Sequence, residues 1–216
     1  VFGEAMSTGI GGGDRSDYIA YIVPGLLLMT IGSTTIGTAV SVSNDMTEGI
    51  IARFRTMAIH RGSVLVGHVV GSVIQSIMSV VLVGAVGVAI GFRSADATAL
   101  EWLAAFGLLV LFTLALTWIA VGMGLVSPNA EAASNNAMPL IFLPLISSAF
   151  VPVDSMPGWF QPIAEYQPFT PAIETLRGLL LGTEIGHNGW LALGWSVALT
   201  ALGYRWATAK FNNDPK

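Results

Sequence analysis

Residues 44–67 read NDMTEGIIARFRTMAIHRGSVLVG, the one stretch of this chain in which positive charge gathers. Arg53, Arg55 and Arg61 fall within nine residues of one another, His60 stands beside them, and long uncharged segments lie on both sides. Short loops rich in Arg and Lys stay on the cytoplasmic face of a membrane, so this cluster is expected to face the cytoplasm and to orient everything around it. The stretch also predicts a short helix. Asp45 is placed to cap its start, Glu48 follows three residues later as a capping box requires, and the next proline is Pro128. At about 100° per residue, Ile50, Phe54, Met57 and Ala58 share one face, while Arg53, Thr56 and His60 share another. A helix of this kind either lies on anionic lipid headgroups or docks on a partner protein.

Composition fixes the class around it. The chain is 53% hydrophobic and 10% charged, against about 25% charged in soluble domains, and its mean hydropathy is +0.71. The expectation is an all-α, polytopic membrane protein forming a single transmembrane domain over residues 1–216. A net charge of -4 without any larger basic stripe argues against nucleic-acid binding. Cysteine is absent, which removes disulfides, thiolate chemistry and cysteine-ligated metal.

Five spans follow from the hydropathy pattern. Residues 19–42 carry no charged side chain, enough to cross a hydrocarbon core of about 30 Å. Within this first span, the hydroxyls of Ser33, Thr34 and Thr35 are placed to bond back to helix carbonyls or across to a neighbour. Residues 63–92 form the second, with Gly67 and Gly71, then Gly87 and Gly91, at the spacing that lets helices approach closely in lipid. Arg93, Asp96 and Glu101 mark a short outer loop, and Trp102 opens a third span reaching residue 126. Residues 127–136 (SPNAEAASNN) read as a brief cytoplasmic loop with Glu131 in solvent. The fourth span, residues 137–151, is short and interrupted by Pro139 and Pro144, and the fifth covers residues 190–206. Arg205, Lys210 and Lys216 then place the C-terminus in the cytoplasm. Residues 1–18 form an external segment with neither the basic flank nor the apolar core of a signal peptide. Because the chain starts at Val1, a further upstream segment is expected.

Between the last two spans the character changes. Residues 152–188, which open PVDSMPGWFQPIAEYQPFTP, are rich in proline and aromatics and predict an external re-entrant or interfacial segment. Thr170 as cap and Pro171 at the first helical position start a short helix that Gly182 ends, with Ile173, Leu176 and Leu180 on one side. Trp159, Phe160, Tyr166 and Phe169 suit headgroup depth.

Together these residues resemble a known family. Glu48 and Gly49, the run Arg53, Phe54, Arg55, Thr56 and Met57, then Arg61 and the Val64 to Gly67 tetrapeptide are similar to the cytoplasmic coupling segment of ABC-2 type transporter permeases, especially daunorubicin-resistance-like drug exporters. Pro168, Phe169, Thr170 and Pro171, followed by Glu174, Arg177 and Gly178, resemble that family's external signature segment. The sequence departs from the pattern at Ala58, where proline is frequent, and at His68, where a basic residue is common. The resemblance implies that residues 44–62 seat on a separate ABC ATPase subunit. That partner would carry ATP and Mg, and this chain would hold no cofactor. It further implies six spans with both ends in the cytoplasm, and a pathway enclosed by a homodimer in contact with membrane lipids.

Other activities find no support in the residues. Gly62 and Gly67 have the outer spacing of a phosphate-binding loop, but His68 stands where lysine is required. His60, His68 and His187 are divided between predicted membrane faces, so no shared metal and no catalytic constellation is expected. Ion-coupled transporters place ionisable residues inside their spans, and none is found between the helix ends. The leading expectation is the permease subunit of an ATP-driven exporter of amphipathic drugs or lipid-like molecules in the cell membrane. A permease for lipid-linked glycans and a non-pumping membrane scaffold are the alternatives.

Overall fold

The protein is described by a computed structural model covering residues 15–48, 62–94 and 97–213. The described residues are helical and contain no strand. Four long helices carry the fold: α1 (Arg15–Thr47), α2 (Gly62–Ile90), α3 (Ala99–Val126) and, after several short elements, α8 (Asn188–Asn213). The short ones are α4 (Ala130–Ala137), α5 (Pro139–Phe142), two 3-10 turns (Leu143–Ile146 and Val153–Ser155), α6 (Gln161–Tyr166) and α7 (Phe169–Leu181). Among the described residues, α1, α2 and α3 are long and apolar enough to cross a membrane, which fits a multi-pass membrane protein. The expected fifth span lies within α8, which has the length but is less apolar.

Several boundaries differ from the sequence expectation, each for a local reason. α1 runs for 33 residues, about 50 Å at 1.5 Å each, and does not stop at residue 42. Asp45 therefore lies in its last turns and does not cap a following helix. Of residues 127–136, only 127–129 form a loop. Asn129 accepts the Ala132 N–H at 2.8 Å and starts α4, whose Ala133 and Ala137 are buried while Glu131 is exposed. Glu101 is likewise helical. Thr98 and Glu101 make a reciprocal capping box at the start of α3, the Thr98 N–H donating to the carboxylate at 2.6 Å and the Glu101 N–H to the hydroxyl at 3.3 Å. The segment expected as a fourth span, residues 137–151, is broken into α5, a 3-10 turn and hydrogen-bonded turns through residue 150, because Pro139 and Pro144 each withdraw a backbone donor.

The chain divides into two compact units. The first holds the residues up to Thr30 together with Ser79–Leu109 and Phe142–Trp195. In it Gly25 permits close approach of α1 to Ala149, since a Cβ there would stand 2.7 Å from the alanine Cβ. Gly87 similarly admits Val23. The second holds Ile31–Met78, Val110–Ile141 and the residues from Ser196 onward. Its core gathers Val42, Leu65, Val69, Trp118, Val121, Leu125, Ala207 and Phe211. The edge of Trp118 meets the Tyr204 ring at 5.0 Å between centroids. The Thr34 hydroxyl bonds back to the Ile31 carbonyl at 2.9 Å and across to the Ser76 hydroxyl at 2.7 Å, so this span uses both of the expected bonding modes.

Candidate functional site

Of the residues read as coupling to an ATPase, Gly49, Arg53, Phe54, Arg55, Met57 and Arg61 lie outside the described residues. Glu48 forms a turn just past α1, exposed, with its N–H donating to the Asn44 carbonyl at 2.8 Å. The two helices that flank the segment are held to each other by a pair that the sequence reading did not find. Nε2 of His68, near the start of α2, lies 2.9 Å from Oδ2 of Asp45, near the end of α1. The residues read as an N-cap and as a departure from the family pattern are thus partners, Asp45 lying inside α1 and not at a cap.

Beside this pair lies a cavity of about 670 Å³ walled by α1 and α2. Thr38, Ser41, Ser72 and Gln75 contribute polar groups to a mainly apolar lining. Gly67 and Gly71 are expected to mark close helix packing, yet they line this cavity, and a Cβ on either would meet nothing within 4 Å.

The external signature residues do come together, in the first unit. α7 begins one residue before Thr170, with Pro168 at the cap position, so Thr170 sits in the first turn. Its hydroxyl instead donates to the Ala164 carbonyl and accepts the Ser148 N–H at 3.2 Å, tying α6 and the turn after α5 to α7. Phe169 is fully buried and not at an interface, whereas Trp159 and Tyr166 are exposed. Ile173, Leu176 and Leu180 are buried as the spacing predicts, but Ala172, Thr175, Arg177 and Gly178 on other faces are buried as well. Gly182 ends the helix in the left-handed conformation with φ 71°, its N–H donating to the Gly178 carbonyl at 2.9 Å. Gly178 itself accommodates the returning chain, because a Cβ there would overlap Ile185.

Arg177 is the centre of this cluster. Its guanidinium pairs with Glu174 and donates to the carbonyls of Tyr21 at 3.0 Å and Ser148 at 3.1 Å. It also stacks over the Tyr21 ring at 3.8 Å from the centroid, and the Tyr21 hydroxyl donates to the same Ser148 carbonyl at 3.0 Å. One cation thereby ties α7 to α1 and to the turn after α5. Among the described residues no three His, Cys, Asp or Glu side chains come together to hold a metal.

The family model described as ABC-2 type transporter matches residues 1–181. The chain belongs to the ABC-2 type transporter family. This family member is 29% identical over 206 residues to the daunorubicin resistance ABC transporter permease protein of Streptomyces coeruleorubidus, covering 94% of this chain and 70% of the relative. It is 24% identical over 199 residues to a probable doxorubicin resistance ABC transporter permease protein of Mycobacterium tuberculosis, covering 87% and 70%. A putative transport permease of Cyanophora paradoxa is 25% identical over 183 residues, covering 82% of this chain and 59% of the relative.

Proposed function

We propose that the chain is the membrane-spanning permease subunit of an ATP-driven exporter that moves amphipathic drugs or lipid-like molecules out of the cell. The observation that carries this reading is the similarity, along 94% of the chain, to a permease named for daunorubicin resistance. In this reading the chain crosses the membrane five times, the broken segment of α5 and the 3-10 turn making the fourth crossing and α8 the fifth. Residues 44–62 face the cytoplasm and dock on an ABC ATPase, which holds ATP and Mg. Residues 152–188 lie outside, and the C-terminus lies inside. Two copies of the permease enclose the pathway, surrounded by lipid. Nucleotide-driven closure of the ATPase pair displaces the coupling segments, and α1 and α2, which leave that segment on either side, carry the displacement into the membrane.

The decisive experiment coexpresses the chain with an ABC ATPase subunit encoded beside it and asks whether the two copurify in mild detergent and transport together in liposomes. Phe54→Ala is expected to weaken partner retention and drug-stimulated ATP turnover together, since truncating a buried aromatic anchor costs about 2 kcal/mol or more at an interface. Undiminished retention and turnover would leave the docking role of residues 44–62 without support. A permease that retains no ATPase at all would favour the scaffold alternative.

A further inference from the structure

α2 ends in a reversal that shapes the surface beside it. Gly91 takes φ 123°, and the Phe92 N–H returns to the Gly87 carbonyl at 2.9 Å, so the Phe92 ring is buried and Arg93 is left outside. Within the first unit, Phe92 stands at one end of a slot of about 320 Å³ between α1, α2, α3 and α7. Val23, Leu27 and Leu180 belong to its buried floor, and Val88, Trp102 and Phe106 to its exposed rim. Gly84 gives it depth, because a Cβ there would find only Leu27 Cδ2, at 3.8 Å. Among the described lining residues the Trp102 indole is the only polar side-chain group, so the slot accepts hydrocarbon and offers little to a glycan or a charged molecule. From Val80 to the end of α2 at Ile90 it runs about 15 Å along the helix, half of a hydrocarbon core about 30 Å thick. It is one leaflet deep. Trp102, a residue type of the membrane interface, stands at the shallow end. There too the Arg93 guanidinium donates to the carbonyls of Val88 at 2.9 Å and Phe92 at 3.0 Å, both residues of the lining. A guanidinium fork matches phosphate. Of the neighbouring acids, Glu101 is turned to the Thr98 N–H and hydroxyl, and Asp96 lies outside the described residues.

We propose that this slot seats a resident phospholipid, one acyl chain lying along α2 and the phosphate beside Arg93. The lipid comes from the surrounding bilayer and stays with the fold, where it joins α2 and α3 as a packing element. It is not cargo, so the proposal stands apart from the exporter reading.

The test places the full chain in nanodiscs of dioleoyl phosphatidylglycerol, transfers it to mild detergent and reads bound lipid by native mass spectrometry. The wild type should keep a phospholipid on each chain through washing that strips bulk lipid. Gly84→Leu, whose side chain occupies the slot, should release it. Ala85→Phe should release it too, covering the slot from its exposed rim, and it keeps the test open where Gly84→Leu fails to fold. Val86→Leu, exposed on the same helix but outside the lining, should keep the lipid, and Arg93→Gln should lower retention severalfold. A wild type without bound lipid, wild-type retention in both slot variants, or equal loss from Val86→Leu overturns the proposal. Unchanged retention in Arg93→Gln refutes the phosphate contact. A dimer that dissociates in Gly84→Leu with its lipid unchanged would make the occupant a second copy, and a lipid that leaves when a partner ATPase turns over ATP would make it cargo. Either result overturns the proposal. Failure of the exporter reading shows separately, as a wild-type chain that retains no ATPase.

Discussion

α2 is 29 residues long without one formal charge, yet only 17% of its most apolar window is buried within the chain, whereas α7, with Thr170, Glu174 and Arg177, buries ten of its 13 residues. On α2 the exposed side chains Val66, Val70, Ile74, Met78, Leu82, Val86 and Ile90 recur every four residues, a continuous apolar stripe. Opposite them a narrow seam of Leu65, Val69, Ser76, Val80 and Gly87 is buried. In water such a stripe would be a liability, but against lipid it costs nothing, since lipid tails are as apolar as valine. Polar groups obey the converse rule. Once buried they must be satisfied by the protein, as Arg177 is by Glu174 and by the carbonyls of Tyr21 and Ser148. The contrast teaches that in this chain apolarity alone does not mark burial, since an uncharged helix leaves most of its surface open while a helix with polar side chains is packed by its hydrogen bonds.

The largest expected effect tests the polar half of that contrast. Arg177→Leu removes the pairing with Glu174 and both carbonyl contacts while keeping an apolar stem of useful volume. Glu174 is partly exposed, and the two carbonyls that lose this donor cost about 1–3 kcal/mol each. The purified variant should unfold at a markedly lower temperature than the wild type, and export should fall with it. A variant as stable as the wild type would mean that α7 is held by its apolar contacts alone.

A smaller effect separates two glycines. Gly25→Leu drives a side chain into the backbone at Ala149 and should destabilise by about 1–3 kcal/mol, the usual cost of overpacking. At Gly71 a Cβ has no atom within 4 Å, and Gly71→Leu should be neutral or slightly stabilising, because leucine is the better helix former by about 0.8 kcal/mol. Thermal unfolding of the two variants side by side measures the difference. Equal losses would place a neighbour over Gly71 as well.

These two glycines also mark how far the sequence could be read. Uncharged runs located α1, α2 and α3 because span length depends on local hydropathy alone. The stop at Gly182 was legible because a left-handed residue after a helix is a local requirement. Thr170 was misplaced by one turn of logic: Thr followed by Pro reads as a cap, but the Ser148 N–H and the Ala164 carbonyl, 22 and six residues away, claimed its hydroxyl. Asp45 reads as a cap for the same reason, since its partner His68 stands 23 residues away in the sequence, on another helix. Gly67 and Gly71 carry a packing motif whose meaning depends on whether anything stands opposite, and no sequence spacing records that. The convergence of Tyr21, Ser148 and Arg177 was likewise invisible, being set by three segments far apart in the chain.

The smallest effect probes the apolar half of the contrast. Ile74 is 57% exposed at the middle of the stripe on α2, so its side chain has no protein wall around it to collapse or leave empty. Ile74→Ala should change stability by less than about 0.5 kcal/mol, because lipid chains move into the vacated volume and no cavity forms. Truncation of a large aliphatic side chain in a packed core costs about 2–5 kcal/mol, so the two situations differ by a margin that unfolding in lipid nanodiscs can read. A loss of about 2 kcal/mol or more at Ile74 would show that protein covers the stripe. If that loss also depended on protein concentration, the covering protein would be a second copy, and the face would pass from lipid contact to the homodimer.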